Sequence, residues 1–423
     1  MKPASTIALA LALVAAPSSA KDRTPEQVAA AALAAAPVWD GHNDVPEQLR
    51  DRYRNVIAGF DFNDTMTVPQ VEGSSVAMHT DLARLKQGHV GAQFWSVYVS
   101  AQLPEPQAVV AVLEQIDVMK RVIARHPDRL AFVTSADGVE AAMKQGRIAS
   151  LLGMEGGNSI GESLAVLRQT YDLGARYLTL THSRTLNWAD SATDAPRHGG
   201  LTEFGRTVVR EMNRIGMLVD LSHVSEATMM DALDEAKAPV IFSHSGARAI
   251  DGHARNVPDA VLARLPANGG IVMAVGYPAF LSERLRQWQA NEAGEKARLE
   301  SLWRGDPDAV KAGVEEWRAA NPTPHASISD YADHIDHIRR VAGIDHVGLG
   351  GDFDGMDIAP DGMPDVSAYP ALFTELARRG YAQADLEKIA SKNMMRVLRA
   401  AEGYAKSQQG VPPNETPYVG APG

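Results

Sequence analysis

From about residue 38 onward, two textures alternate along the chain. Short β-branched or apolar runs end in polar residues, and longer stretches with helical apolar spacing follow them. Eight runs read as strands, over 38–42, 92–99, 148–154, 177–181, 218–222, 240–243, 271–275 and 346–350. Helical stretches lie between them, over 105–125, 136–145, 162–173, 203–215, 226–236 and 328–341. Ser225 stands where an N-cap belongs, and Gly174, Gly216 and Gly343 stand where C-caps belong. Eight strand–helix repeats predict an α/β fold of the (β/α)8 TIM-barrel type; a doubly wound open sheet has the same texture and is the competing architecture. Between the seventh and eighth strands, residues 278–326 carry Trp288, Trp303 and Trp317 among charges at helical spacing. This segment reads as a helical insertion at the barrel mouth, with a lengthened ordinary crossover as the alternative.

The residues that close the runs form a second pattern. Strand one ends in His42-Asn43-Asp44, strand three in Met154-Glu155-Gly156 and strand four in Thr181-His182. Strand five ends in Ser222-His223, strand six in Ser243-His244-Ser245 and strand eight in Gly351-Asp352-Phe353-Asp354. The C-terminal ends of barrel strands form one rim, so these imidazoles and carboxylates are predicted to meet there. One His after an apolar run is more often structural; their repetition on one rim points to a metal centre. His42 and Asp44, two apart on extended chain, share a side. The sequence has no cysteine, so any metal rests on His, Asp or Glu. His42, Asp44, His223 and His244 supply imidazoles and a carboxylate, and Glu155 has two oxygens with which to bridge two cations. Mixed nitrogen and oxygen donors suit Zn²⁺ best and leave Mn²⁺, Fe²⁺ and Co²⁺ open. Hydrolysis of an amide, ester or phosphoester is the chemistry such a centre supports. Tyr277 and His253 also follow strands, where lining a pocket and plain packing are both open to them.

Composition bounds the remaining choices. The 423 residues are 45% hydrophobic and 22% charged, ordinary values for a globular chain with a large core. The net charge is −11, and loss of Lys2 with a leader would make it −12. A chain this acidic is a poor general ligand for nucleic acid or anionic lipid. Residues 1–20 combine Lys2, a short apolar run and small residues at Ser18 and Ala20, which predicts a secretory signal peptide, with an uncleaved anchor as the alternative. Residues 21–405 then form one catalytic domain, and the polar, Pro/Gly-rich 406–423 a flexible tail.

Eight stretches resemble the renal or membrane dipeptidase family, metallopeptidases with an amidohydrolase-like barrel. They are DGHNDVPEQL (40–49), HTDLARLKQGHVGAQFWSVYV (79–99), LLGMEGG (151–157), YLTLTHSRTLNWADS (177–191), LVDLSHVS (218–225), IFSHSGARAI (241–250), RNVPD (255–259) and GLGGDFDG (348–355). The resemblance implies a dipeptidase with two Zn²⁺ per subunit that cleaves free dipeptides, L-L and L-D, by a metal-bridged hydroxide. It implies that His42 and Asp44 hold the first zinc, that His223 and His244 hold the second, and that Glu155 bridges them and shares in catalysis. His182 then contacts the scissile carbonyl, Arg255 the substrate's terminal carboxylate, and Asp352 acts as acid and base; Tyr277 is taken as a further substrate contact. A lactonase or phosphotriesterase-like hydrolase on the same barrel is the alternative. The family also implies a homodimer. Vertebrate members are disulfide-bonded and lipid-anchored, whereas this chain has neither cysteine nor a C-terminal anchor signal. No stable membrane anchor is therefore expected, and the leader implies a periplasmic or secreted enzyme.

Overall fold

In a computed structural model that describes residues 23–71 and 77–415, nine parallel strands carry the architecture. They are β1 (Val38–Asn43), β2 (Val90–Tyr98), β3 (Leu130–Phe132), β4 (Ile148–Glu155), β5 (Ala175–Thr179), β6 (Leu218–Asp220), β7 (Ile241–Phe242), β8 (Ile271–Val275) and β9 (Val347–Gly350). The pairing runs β2-β1-β9-β8-β7-β6-β5-β4, and β2 pairs with β4, so eight strands close on themselves. Closure rules out the open doubly wound sheet. β3 is an addition that the pattern of apolar runs did not reveal. It pairs with Ile148, Ala149 and Ser150 at the start of β4, whereas β5 takes over from Leu152 onward.

The two-residue period of the strands divides the core. Trp39, Phe94, Leu151, Tyr177, Leu218, Ile241 and Ile271 belong to one buried cluster. Their neighbours Val38, Trp95, Leu152, Leu178, Val219, Phe242 and Val272 belong to the other. Alternate side chains thus fill the barrel or pack on the surrounding helices. Both faces of the eight barrel strands are buried almost throughout, which is why the strands read as near-continuous runs rather than as alternating ones.

Helices follow where predicted, including Glu105–Arg125, Glu203–Ile215 and Glu226–Glu235. The Ser225 hydroxyl accepts from the backbone N–H of Thr228 at 3.2 Å and caps the last of these. Replacing Ser225 with Ala is expected to cost about 1 kcal/mol of stability, readable as a lower urea midpoint with an unchanged slope. Residues 278–326 form a helical insertion, with helices at Pro278–Leu281, Glu283–Leu302 and Pro307–Ala320. No helix among the described residues is long and apolar enough to cross a membrane. The expected leader lies outside the described residues. Of the expected tail, the helix Asn393–Ser407 enters its start, and the Asn414 carbonyl accepts from Arg168 Nη1 at 3.0 Å.

Candidate active site and metal centre

The strand ends bring the predicted residues together. The Glu155 carboxylate, at the end of β4, stands between two sets of imidazoles. Its Oε2 lies 3.4 Å from His42 Nε2. Its Oε1 lies 2.9 Å from His223 Nε2, 3.4 Å from His244 Nε2 and 3.7 Å from His182 Nε2. Asp44 Oδ2 is 3.4 Å and Asp352 Oδ1 3.9 Å from His42 Nε2. Each carboxylate oxygen of Glu155 therefore faces a different group of donors, the geometry a bridging ligand needs.

Neighbouring hydroxyls orient these rings. Ser243 Oγ donates to Asp220 Oδ2 at 2.6 Å and lies 2.8 Å from His244 Nδ1. Its proton is committed to Asp220, so it accepts from Nδ1–H and leaves the Nε2 lone pair toward the cavity. Tyr177 holds the His42 ring from behind, its hydroxyl 3.0 Å from Nδ1 and 3.5 Å from the Gly41 carbonyl. Tyr177 reaches this far because it crosses β4 at Gly153, where a Cβ would stand 1.9 Å from its Cζ. Asp40 ties β1 to β9 below the site, accepting from the backbone of His42 and Gly351 and from the Tyr369 hydroxyl.

The donor set holds buried atoms that a metal ion would join. His42 Nε2 and Asp44 Oδ1 are buried with no hydrogen-bond partner. His223 Nε2 and His244 Nε2 face each other at 3.0 Å. Buried polar atoms without a partner, as His42 Nε2 and Asp44 Oδ1 are, are costly unless something joins them, and a cation held among these donors would do so. Three overlapping sets have ligand atoms close enough to share an ion: His42, Glu155 and His244; Glu155, His182 and His223; and His42, Asp44 and Asp352. The residues fit divalent cations held by nitrogen and oxygen.

Electrostatics agrees with that fit at His223 and His244, whereas at His42 burial is outweighed by Tyr177, Asp44 and Glu155, which hold the ring well above the ordinary imidazole range until a cation takes the place of its proton. Burial, with help from Arg255, pushes His223 and His244 well below the ordinary imidazole range, so both are neutral and ready to ligate. Burial also works to raise Glu155, but His42 and His223 outweigh it and hold the carboxyl well below the usual range. Asp352 is pushed up to about 7, chiefly by burial and then by Asp44 and Glu155. His223, Asp352 and Asp354 sit at φ of 68°, 61° and 69°. Non-glycine residues in this left-handed region cost roughly 1–3 kcal/mol each and gather at functional sites.

A cavity of about 260 Å³ opens onto the cluster, lined in part by Asp44, Glu155, His182, His223, His244 and Asp352. Of the two residues left open between lining and packing, Tyr277 lines it, whereas His253 is not on that wall and packs against Phe280, ring centroids 4.6 Å apart. Arg255 is not on that wall. It is 1% exposed, donates to the His244 carbonyl at 3.2 Å and lies under the Phe280 ring at 5.2 Å. Burial pushes its guanidinium down to about 10, while Asp352 and Glu155 pull it up. Trp188 and Asp190, in the long loop after β5, are buried; Asp190 accepts from the backbone N–H groups of Arg197, His198 and Gly200. The loop is thus a folded element rather than a solvated connection. Glu47, Tyr98, Phe280 and Gly355 also line the cavity, and sequence reasoning did not single them out. Gly355 leaves room there, since a Cβ would stand 2.3 Å from Asp44 Oδ2.

A family model described as membrane dipeptidase (peptidase family M19) matches residues 26–411. Dipeptidase 3 of Rattus norvegicus is 40% identical over 387 residues, 90% of this chain and 68% of that protein. A metallopeptidase from Rhodobacter sphaeroides, solved with a phosphinate mimic of the dipeptide L-Ala-D-Ala, superposes with a TM-score of 0.68 at 25% identity, covering 86% of this chain and 99% of its own. The probable dipeptidase PvdM of Pseudomonas aeruginosa has the same fold, with a TM-score of 0.75 at 22% identity, 90% of this chain and 99% of its own.

Proposed function

The chain belongs to the membrane dipeptidase family of metallopeptidases, peptidase family M19, and from that premise we propose that it is a dinuclear zinc dipeptidase acting on free L-L and L-D dipeptides. The observation that carries the two-metal reading is Glu155, whose two oxygens face different imidazoles. His42 and Asp44 would hold one cation, His223 and His244 the other, with Glu155 between them. When bound, such cations acidify a water and polarise the scissile carbonyl.

The chain's own groups supply the rest. His182 is held below the ordinary imidazole range, first by burial, so it is neutral and offers an N–H to the oxyanion that develops on the carbonyl. Asp352 takes the proton of the attacking water as the carbon–oxygen bond forms. It returns that proton to the amine nitrogen as the carbon–nitrogen bond breaks, and two amino acids leave. Arg255 offers a planar fork to the substrate's carboxylate, and Phe280, which lies over it, must yield for the carboxylate to reach it. A carboxylate clamp at Arg255 so close to the ligand cluster would favour substrates of two residues. The phosphinate-bound relative supports acceptance of a C-terminal D-residue. The leader supports a periplasmic or secreted enzyme, and the family a homodimer.

The test is elemental analysis joined to a dipeptide panel. Two zinc ions per chain, loss of L-L and L-D cleavage on chelation and its return with Zn²⁺ are expected. Replacing Arg255 with Ala should lower kcat/KM for dipeptides by roughly 10–100-fold, through KM, and should leave cleavage of the corresponding dipeptide amides unaltered. Equal loss for both substrates removes the carboxylate role; a metal-free protein of full activity removes the whole reading.

A further inference from the structure

Glu47 lies in the first turn of the helix Val45–Tyr53, directly after β1 and the ligand Asp44. Its side chain is 25% exposed and lines the catalytic cavity beside Asp44 and Tyr98. The same side chain lines a second cavity of about 320 Å³, which shares Tyr277 and Gly355 with the first. Glu47 is therefore the acidic residue common to both.

The surroundings are short of positive charge. Arg50 Nη2 reaches Glu47 Oε1 at 3.2 Å, but the same guanidinium also serves Asp51 Oδ1 at 3.0 Å and the Tyr98 carbonyl at 2.9 Å. One cation is divided between two carboxylates. Glu47 Oε2 accepts no hydrogen bond among the described residues, and burial, then Asp44, pushes its carboxyl up to about 8 against the pull of Arg50, so a further cation beside it would be needed to hold it ionised. The adjoining cavity adds Asp51, Asp354 and Asp357, of which Asp354 is already engaged, accepting from the backbone N–H of His79 at 2.7 Å. Arg52 lines that cavity too, but its Nη1 donates to the Pro69 carbonyl at 2.8 Å and its Nε to Gln48 Oε1 at 2.5 Å.

Topology sets which end of a substrate meets this region. Arg255 follows β7 and Glu47 follows β1, three steps apart around a ring of eight strands. A dipeptide with its carboxylate toward Arg255 and its carbonyl at the ligand cluster directs its N-terminal residue toward Glu47. We propose that Glu47 is a specificity-determining residue that selects a cationic side chain, of the lysine or arginine class, on the N-terminal residue of the substrate, which extends past it into the adjoining acidic cavity. This rests on the dipeptidase reading and on the Arg255 orientation.

The test compares zinc-loaded enzyme on Lys-Ala and Met-Ala, side chains of similar length that differ in charge. Wild type is expected to prefer Lys-Ala in kcat/KM by about tenfold, mainly through KM. The preference should fall to near unity in Glu47→Gln, and Glu47→Lys should turn it toward Glu-Ala. Equal turnover of Lys-Ala and Met-Ala by wild type overturns the inference, and that comparison needs no variant to fold. A fall of the same factor on both substrates in Glu47→Gln also overturns it, because Glu47 then serves a group that all dipeptides share. Absence of cleavage of any dipeptide overturns the proposed function itself and this inference with it.

Discussion

Replacing Asp352 with Asn is expected to lower kcat for dipeptides by about 10²–10⁴-fold while zinc content stays unchanged. Asn is the informative substitution for two reasons. It keeps the size and polarity of the side chain, and it tolerates the left-handed backbone at φ 61°, where Ala would add strain to the loss of the carboxylate. Asp352 lies within 3.9 Å of His42, close enough to share a water with the ligand cluster. Burial, Asp44 and Glu155 place its carboxyl at about 7. The ionised form is the base, so kcat/KM rises with pH through this group. Bound cations favour the ionised form and move the acid limb below 7. A pH–rate profile should show that limb in wild type and lack it in the Asn variant. Wild-type turnover in the variant, or the same limb in both, assigns the proton transfer to another group.

Much of this site was legible in the sequence because its donors close barrel strands. His42, Glu155, His223 and His244 each end an apolar run, and a barrel places such ends on one rim. What stayed hidden has physical reasons. β3 spans only Leu130–Phe132 and borders just the start of β4, too short a run to stand out from its surroundings. Glu47 reads as an ordinary acidic residue in the first turn of a helix; its position three residues after Asp44 was the available signal. Tyr98 and Phe280 carry no metal-type chemistry, and only the path of the chain shows that they face the cavity. Tyr177 and Ser243 act through the rings they hold, and a hydroxyl within a strand gives no hint of its partner. The left-handed backbone at His223 and Asp352 is imposed by the fold, since nothing local in either residue demands it. Arg255 was identified by resemblance, which could not show that it lies under Phe280.

Replacing Glu155 with Ala is expected to have the largest effect of any single change, because it acts on binding, chemistry and stability together. Its oxygens lie within 3.7 Å of His42, His182, His223 and His244. Removing them leaves imidazoles without the anion that offsets the charge of a pair of cations. Zinc per chain should fall from two to one or none, and kcat/KM should fall by about 10³-fold or more, the several kcal/mol that a bridged pair supplies. Stability gives a readout independent of turnover. Ligands that bind only the folded chain raise its stability by about 4 kcal/mol at a thousand times their dissociation constant. Wild type should therefore lose Tm on chelation and regain it with Zn²⁺, whereas Glu155→Ala should show a greatly reduced response to either. The Ser96 hydroxyl, 3.0 Å from Glu155 Oε2, sharpens the comparison. Replacing Ser96 with Ala removes one donor to the bridge but leaves the carboxylate, so it should keep two zinc ions with weaker affinity. If Glu155→Ala binds two zinc ions and gains the same Tm from them as wild type, the carboxylate is not the bridge, and the two groups of imidazoles would have to hold their cations independently.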